Sequence, residues 1–332
     1  MLSAILSVCA GLLVAPAVRR APAPQASLVA AVDTSLRQRF DPSSISRVLG
    51  AWERMAQGSV HESALAPADP MMVQQANSYI EGLEVQLFHE PTQEHAWARN
   101  LEQHAADISA ELQAVFAAGN LERRGNNVWV GLEDIRDATT VAYGPEWRTL
   151  GLQDRGIWDP INTAIFPKTT AALRESGVPC VEAFFAKMPA GSSIEAHSDG
   201  CNFHLTCHLG VDVPEGECWL QVGDERREWR NGTLMLFDTS VLHKAANEAS
   251  VDRYVLMMRV WHPQLKEVEI KALEWIFNCL DDPSLAQADV HAAPQAKVAA
   301  PAARAAAAAV GETRQQRRAR ERAAAKAAKK GR

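Results

Sequence analysis

Two hydrophobic periods divide this chain. Up to about residue 119, apolar residues recur at helical spacing. "SSISRVLGAWERMA" reads as one amphipathic helix within a region of mixed helix and loop. Trp97, Leu101, Ile108, Leu112 and Val115 share one helical face, and Gly119-Asn120 ends that run. From Cys180 the period drops to two. "VEAFFAKM" reads as a strand. In "NFHLTCHLGVDV", Phe203, Leu205, Cys207, Leu209 and Val211 fall on one face, and Asn202, His204, Thr206 and His208 on the other. Gly223-Asp224 predicts a hairpin between "CWLQV" and "RREW", and Asn231-Gly232 a second one between "RREW" and "TLMLF". "RYVLMMRVW" is a last strand, closed by His262-Pro263, and "LKEVEIKALEWIFNCL" a following helix. Short antiparallel strands at regular spacing predict a β-sandwich or barrel with helices packed outside.

Composition changes this picture only at the ends. The chain has 332 residues and a net charge of −6. From Pro294 onward it carries eleven Lys or Arg against two acids, so an acidic globular part bears a basic tail. The tail, 291–332, is Ala-rich and has no bulky apolar face, which predicts disorder. It offers a contact for polyanions, but no aromatic residues interleave with its basic ones, so there is no strong nucleic-acid signal. Residues 1–32 read as a targeting segment. The apolar "MLSAILSVCAGLLVAPAV" with a small-residue "APA" fits entry to the secretory pathway and ER. The acid-poor stretch after it also suits a plastid or mitochondrial address. The expected organisation then continues with a helical region at 33–86 and a catalytic domain at 87–290. The six cysteines form no CxxC pair, which argues against a thiolate zinc site.

The chemistry concentrates around "HSDGCNFHLTCH". His197 and Asp199, at i and i+2 before a strand, can reach one ion from extended backbone. His243, in "LFDTSVLHKA", lies at a loop mouth and supplies a third ligand. Two imidazoles and one carboxylate leave open positions on an octahedral ion, the set expected for non-haem Fe(II) that activates O₂. If the co-substrate is 2-oxoglutarate, its far carboxylate needs a cation. Arg253, ten residues after His243, presents the forked guanidinium that such a group favours. His204 and His208 as a metal pair are rejected, because four residues along a strand separate them by about 13 Å.

The stretch from His197 to Leu265 resembles the aspartyl/asparaginyl β-hydroxylase family. The likeness rests on His197, Asn202, "HLG" at His208–Gly210, Val213-Pro214, "W.NG" around Trp229–Gly232, "FDTS..H" ending at His243, Arg253 and the closing "WHP". Weaker similarity reaches back through "EWRTLGLQDRG" and "FPKTTAAL" to about Leu87. The resemblance implies a mainly β fold with flanking helices, built on a double-stranded β-helix (jelly-roll, cupin-like) core. It implies Fe(II), 2-oxoglutarate and O₂ as cofactor and co-substrates, iron on His197 and His243, and Arg253 and His208 on 2-oxoglutarate. It differs from the best-known animal members at Asp199, where they have Gly. His204 and Thr206 stand where they have Arg, and Ala186 where they have Ser. Asn202 reads as fixing its loop and Asp238 as ordering the turn before His243. His204 reads as either a substrate contact or a packed interior residue, and Trp219 and Trp229 as packing. The implied partner is a protein substrate, hydroxylated at an Asp or Asn β-carbon. A lipid acyl chain is the competing substrate, and a non-catalytic jelly-roll binding module the competing class.

Overall fold

The computed structural model describes residues 26–119, 130–131 and 147–291. Along the chain come α1 (Ala26–Arg39), α2 (Ser46–Ala56), β1 (His61–Ala64), β2 (Val73–Ser78), β3 (Phe88–His89), α3 (Pro91–Glu94), α4 (Ala96–Gln103) and α5 (Ala105–Ala117). Next are β4 (Val130–Gly131), β5 (Arg148–Asp154), β6 (Ile157–Trp158), α6 (Pro160–Ile165) and α7 (Pro167–Ser176). The strand-rich half holds β7 (Cys180–Met188), β8 (Ser192–His197), β9 (Gly200–Cys201), β10 (His204–Asp212), β11 (Cys218–Val222), β12 (Glu225–Glu228), β13 (Leu234–Phe237), β14 (His243–Asn247) and β15 (Arg253–Trp261). α8 (Glu267–Asp281) and α9 (Ser284–His291) end the described chain.

Two sheets make the jelly roll. The larger has the order β3-β13-β10-β15-β7-β5-β4, with β6 on β5, and the smaller is β12-β11-β14-β8. Apolar side chains fill the space between them, among them Phe88, Leu220, Trp229, Phe237 and Val255. The larger sheet's other face is covered by α4, α5 and α7. There Leu101, Ile108, Leu112 and Leu173 meet Leu205, Cys207, Leu209, Leu256 and Met258. Both faces of β10 are therefore buried. Its alternation separates a dry helix-packed side from a polar interior, not inside from outside. Truncating a side chain such as Leu205 to Ala would cost about 2–5 kcal/mol.

A second apolar cluster joins α1, α2, α8 and α9 with Ile80 and Phe203. Arg47 on α2 grips Glu269 on α8 with two bonds, at 2.8 and 2.6 Å, and Glu269 also accepts the Lys266 N–H at 2.9 Å. A fully buried acid is thus paired and caps its own helix.

Several expectations change. The helix-face run from Trp97 to Val115 is two helices meeting at His104, whose N–H bonds Leu101 O at 3.0 Å. The proposed hairpin at Asn231-Gly232 does not form: β12 pairs only with β11, and β13 lies in the other sheet between β10 and β3. The turn instead crosses between sheets and docks on β10, with the Gly232 N–H bonding Gly210 O at 2.9 Å. Helix α1 begins at Ala26, so Leu28, Ala31 and Val32 are buried in the fold although the targeting reading covered them. The stretch 33–86 is only partly helical, since it includes β1 and β2. Among the described residues, Cys180, Cys201, Cys207, Cys218 and Cys279 form no disulfide. The targeting segment before residue 26 and the basic tail after 291 lie outside the described residues. Among the described residues, no helix is long and apolar enough to cross a membrane.

Candidate metal and dicarboxylate site

His197 ends β8 and His243 begins β14, and the two strands pair with these residues directly opposite. Their ring centroids lie 4.2 Å apart. The facing depends on a bulge. Ile194 and His197 both line the cavity between the sheets, although they are three positions apart and simple alternation would turn His197 outward. The register shift between the His243 and Ala245 pairs adds the missing residue in β8. His197 Nδ1 donates to Glu195 O at 2.8 Å, and His243 Nδ1 donates to Val241 O at 3.0 Å. A carbonyl accepts only from N–H, so both rings carry their proton on Nδ1 and present a bare Nε2.

Asp199 stands between them. Its Oδ1 is 3.8 Å from His197 Nε2 and 4.0 Å from His243 Nε2, and is buried with no hydrogen-bond partner. The ligand atoms of the three residues lie within 4.8 Å of one another. An orphaned carboxylate oxygen aimed at two bare imidazole nitrogens fits a divalent cation. Burial alone would raise the Asp199 carboxyl, but Arg259 and the two imidazoles outweigh it and hold it below the usual carboxylate range. Burial depresses both histidines, His243 to about 4, so both are neutral at pH 7 and ready to ligate.

Two loops carry these ligands, and β2 lies between them. The Gln75 N–H bonds Ser240 O at 2.8 Å, Leu242 N–H bonds Val73 O at 2.9 Å, and Ser198 Oγ bonds Gln75 O at 2.7 Å. Gln74 Nε2 donates to Ser240 Oγ at 2.9 Å. Asp238 Oδ1 accepts from both the N–H and the Oγ of Ser240, at 2.8 and 2.6 Å, and the Asp199 N–H bonds Thr239 O at 2.8 Å.

The cavity holds about 490 Å³, counted out to its opening. Along β15, Arg253, Met257 and Arg259 share parity, and Met257 and Arg259 pair with His208 and Thr206 on β10. Arg253 is 2% exposed, and its Nε and Nη1 have no hydrogen-bond partner. Its guanidinium lies 4.1 Å over the Trp229 ring. Burial lowers its pKa to about 10, so at neutral pH it is still a cation. A buried cation without a carboxylate partner is an anion site. Beside it, Trp229 Nε1 donates to His208 Nδ1 at 3.2 Å. His208 is held neutral, well below its usual range, by burial and the Arg253 charge, so its proton sits on Nε2. That N–H is buried and unpaired, a second donor for an oxyanion.

The structure therefore brings together His197, Asp199, His243, Thr206, His208 and Arg253 around one cavity. It does not bring in three others. Asn202 closes a two-bond pair with the Ile80 backbone. Asp238 serves its turn. His204 lies outside the cavity lining, its ring 4.5 Å from Trp261 and 4.8 Å from Phe203. Reading Trp229 as mere packing missed its two contacts with the anion site. Arg259 was missed altogether: its Nη2 lies 3.3 Å from Asp199 Oδ2. The signal was in the strand, because Arg259 follows Arg253 by six residues and so faces the same side.

Comparison with known proteins finds relatives for the segment that carries this site. The family described as "Aspartyl/Asparaginyl beta-hydroxylase" matches residues 102–263. Aspartate beta-hydroxylase domain-containing protein 2 of Homo sapiens is 35% identical over 141 residues, covering 40% of this chain and 38% of that protein. Its Xenopus tropicalis counterpart is 31% identical over 189 residues, 53% of this chain and 47% of that protein. The aspartyl/asparaginyl beta-hydroxylase of Mus musculus is 30% identical over 111 residues, 32% and 15% respectively. The chain thus spans less than half the length of these relatives. Solved structures are remote: a Pseudomonas putida prolyl-4-hydroxylase has 14% identity and a TM-score of 0.31, covering 48% of this chain and 87% of that one. The segment 102–263, which holds the whole His-Asp-His cluster, is similar to the aspartyl/asparaginyl β-hydroxylase family.

Proposed function

We propose that the protein is an Fe(II)- and 2-oxoglutarate-dependent dioxygenase that hydroxylates a C–H bond, with an Asp or Asn β-carbon of a protein substrate as its target. One observation carries the reading: a buried His-Asp-His cluster shares a cavity with a buried guanidinium that has no counter-ion among the described residues. His197, Asp199 and His243 would hold the iron, which when bound supplies O₂ activation. The overall reaction balances as 2-oxoglutarate, O₂ and R–H giving succinate, CO₂ and R–OH.

This chain's residues bind and orient. Arg253 offers two N–H groups to the distal carboxylate, and Trp229 beneath it fixes the plane of the fork. His208 donates from Nε2. Apolar walls formed by Ile194, Leu220, Phe237 and Met257 exclude water around these polar groups. The same walls favour a second reading, in which the target is a lipid acyl chain.

The purified protein should convert 2-oxoglutarate to succinate only with Fe(II), and His243→Ala should lower the rate at least ~100-fold by removing a ligand. Full turnover in chelator-treated protein would overturn the reading. Mass spectrometry of Asp- or Asn-containing peptides against acyl lipids, each scored for one added oxygen, separates the two substrate classes.

A further inference from the structure

Arg259 is buried on the interior face of β15, directly opposite Thr206 on β10 and Glu182 on β7. It reaches two acids. Its Nη2 lies 3.3 Å from Asp199 Oδ2, and its Nε lies 3.3 Å from Glu182 Oε2. Asp199 Oδ2 is thus engaged, while Asp199 Oδ1 faces the two imidazoles with no hydrogen-bond partner.

We propose that Arg259 is a positioning residue that assigns the two oxygens of Asp199 to separate tasks, holding Oδ2 so that the carboxylate ligates iron through Oδ1 alone. This rests on the metal reading above. A free carboxylate could turn and chelate through both oxygens, which would fill a coordination position needed by the co-substrate or O₂. A guanidinium on one oxygen prevents this. It also tolerates burial there, because it carries the positive charge that a fully buried carboxylate needs before metal arrives. Glu182, about one-third exposed, makes an ion-pair contact of 3.3 Å with the Nε edge of the fork, and its charge draws that edge away from the co-substrate. A lysine could not do both, since its single nitrogen lacks the fork that spans Asp199 and Glu182.

The test measures metal affinity, not turnover. Co(II) is titrated into the metal-free protein, and its visible absorption reports both affinity and coordination number. Wild type should bind Co(II), and Arg259→Gln should bind it at least tenfold more weakly, within the range for residues that orient a ligand. The absorption should shift toward that of a site with one more oxygen bound. In an Asp199→Ala background, Arg259→Gln should cause no further loss. An equal loss in both backgrounds, or unchanged affinity and spectrum in Arg259→Gln alone, would overturn the proposal and leave the metal reading standing. No Co(II) binding by wild type would overturn both. If Arg259→Gln does not fold, Glu182→Gln and Arg259→Lys carry the same comparison, each expected to weaken binding by a smaller factor that also vanishes without Asp199.

Discussion

At the scale of single residues, the site depends on which proton sits where. Arg253 is a fork with two vacant donors, so Arg253→Lys keeps the charge and loses the geometry. The expected outcome is a 2-oxoglutarate KM raised at least ~10-fold, with Co(II) affinity unchanged; steady-state kinetics and metal titration check it. His243 is neutral in the fold down to about pH 4, whereas an unfolded chain protonates it near 6.5. Above 6.5 both states are neutral. Between 6.5 and 4 only the unfolded chain takes up the proton, so stability falls as pH falls through that window, by about 3 kcal/mol for a shift of this size. Melting curves of metal-free protein from pH 7.5 to 4.5 should show this slope, and His243→Asn should reduce it by the share of one histidine, since His197, His208 and His262 are depressed by burial as well. His197, Asp199, His243 and Arg253 were legible from residue type and spacing. Arg259 was not singled out, because one arginine on a strand looks like any surface charge until its parity with Arg253 is counted. The role of Trp229 needed the turn to be placed.

At the scale of elements, strand parity and turn placement do the positioning. Alternation revealed β7, β10 and β15 but not the bulge in β8, since an extra residue breaks the period that sequence reading follows. The Asn231-Gly232 signal was real as a turn and misleading as a hairpin: the backbone reverses, but its two arms join different sheets. Gly210 explains why the turn lands where it does. A Cβ there would sit 2.2 Å from Arg230 O, so only glycine admits the turn against β10. Gly210→Ala should destabilise the protein by about 1–3 kcal/mol in urea melts. It should also raise the 2-oxoglutarate KM, because the displaced turn carries Trp229 away from His208 and Arg253.

At the scale of the whole molecule, the family-matched segment does not stand alone. The family match begins at residue 102, yet β2, at Val73–Ser78, lies between the two ligand loops, and α1 and α2 form one core with α8. Removing residues 26–86 should abolish Co(II) binding and expose the apolar faces of α8 and Phe203, seen as increased dye binding and a lost cooperative melt. Sequence reading made this region a separate helical unit because β1 and β2 are short and polar, and the alternate positions of β2 are buried only by partners far along the chain. One consequence concerns assembly rather than catalysis. His197 and His243 sit on opposite strands in direct register, and a slip of one residue would turn an imidazole out of the cavity. Metal capture at the proposed site would therefore proofread the threading of the sheet. Only chains zipped in the correct register can close the lock, and the fraction that resists a chelator would count the correctly built molecules in any preparation.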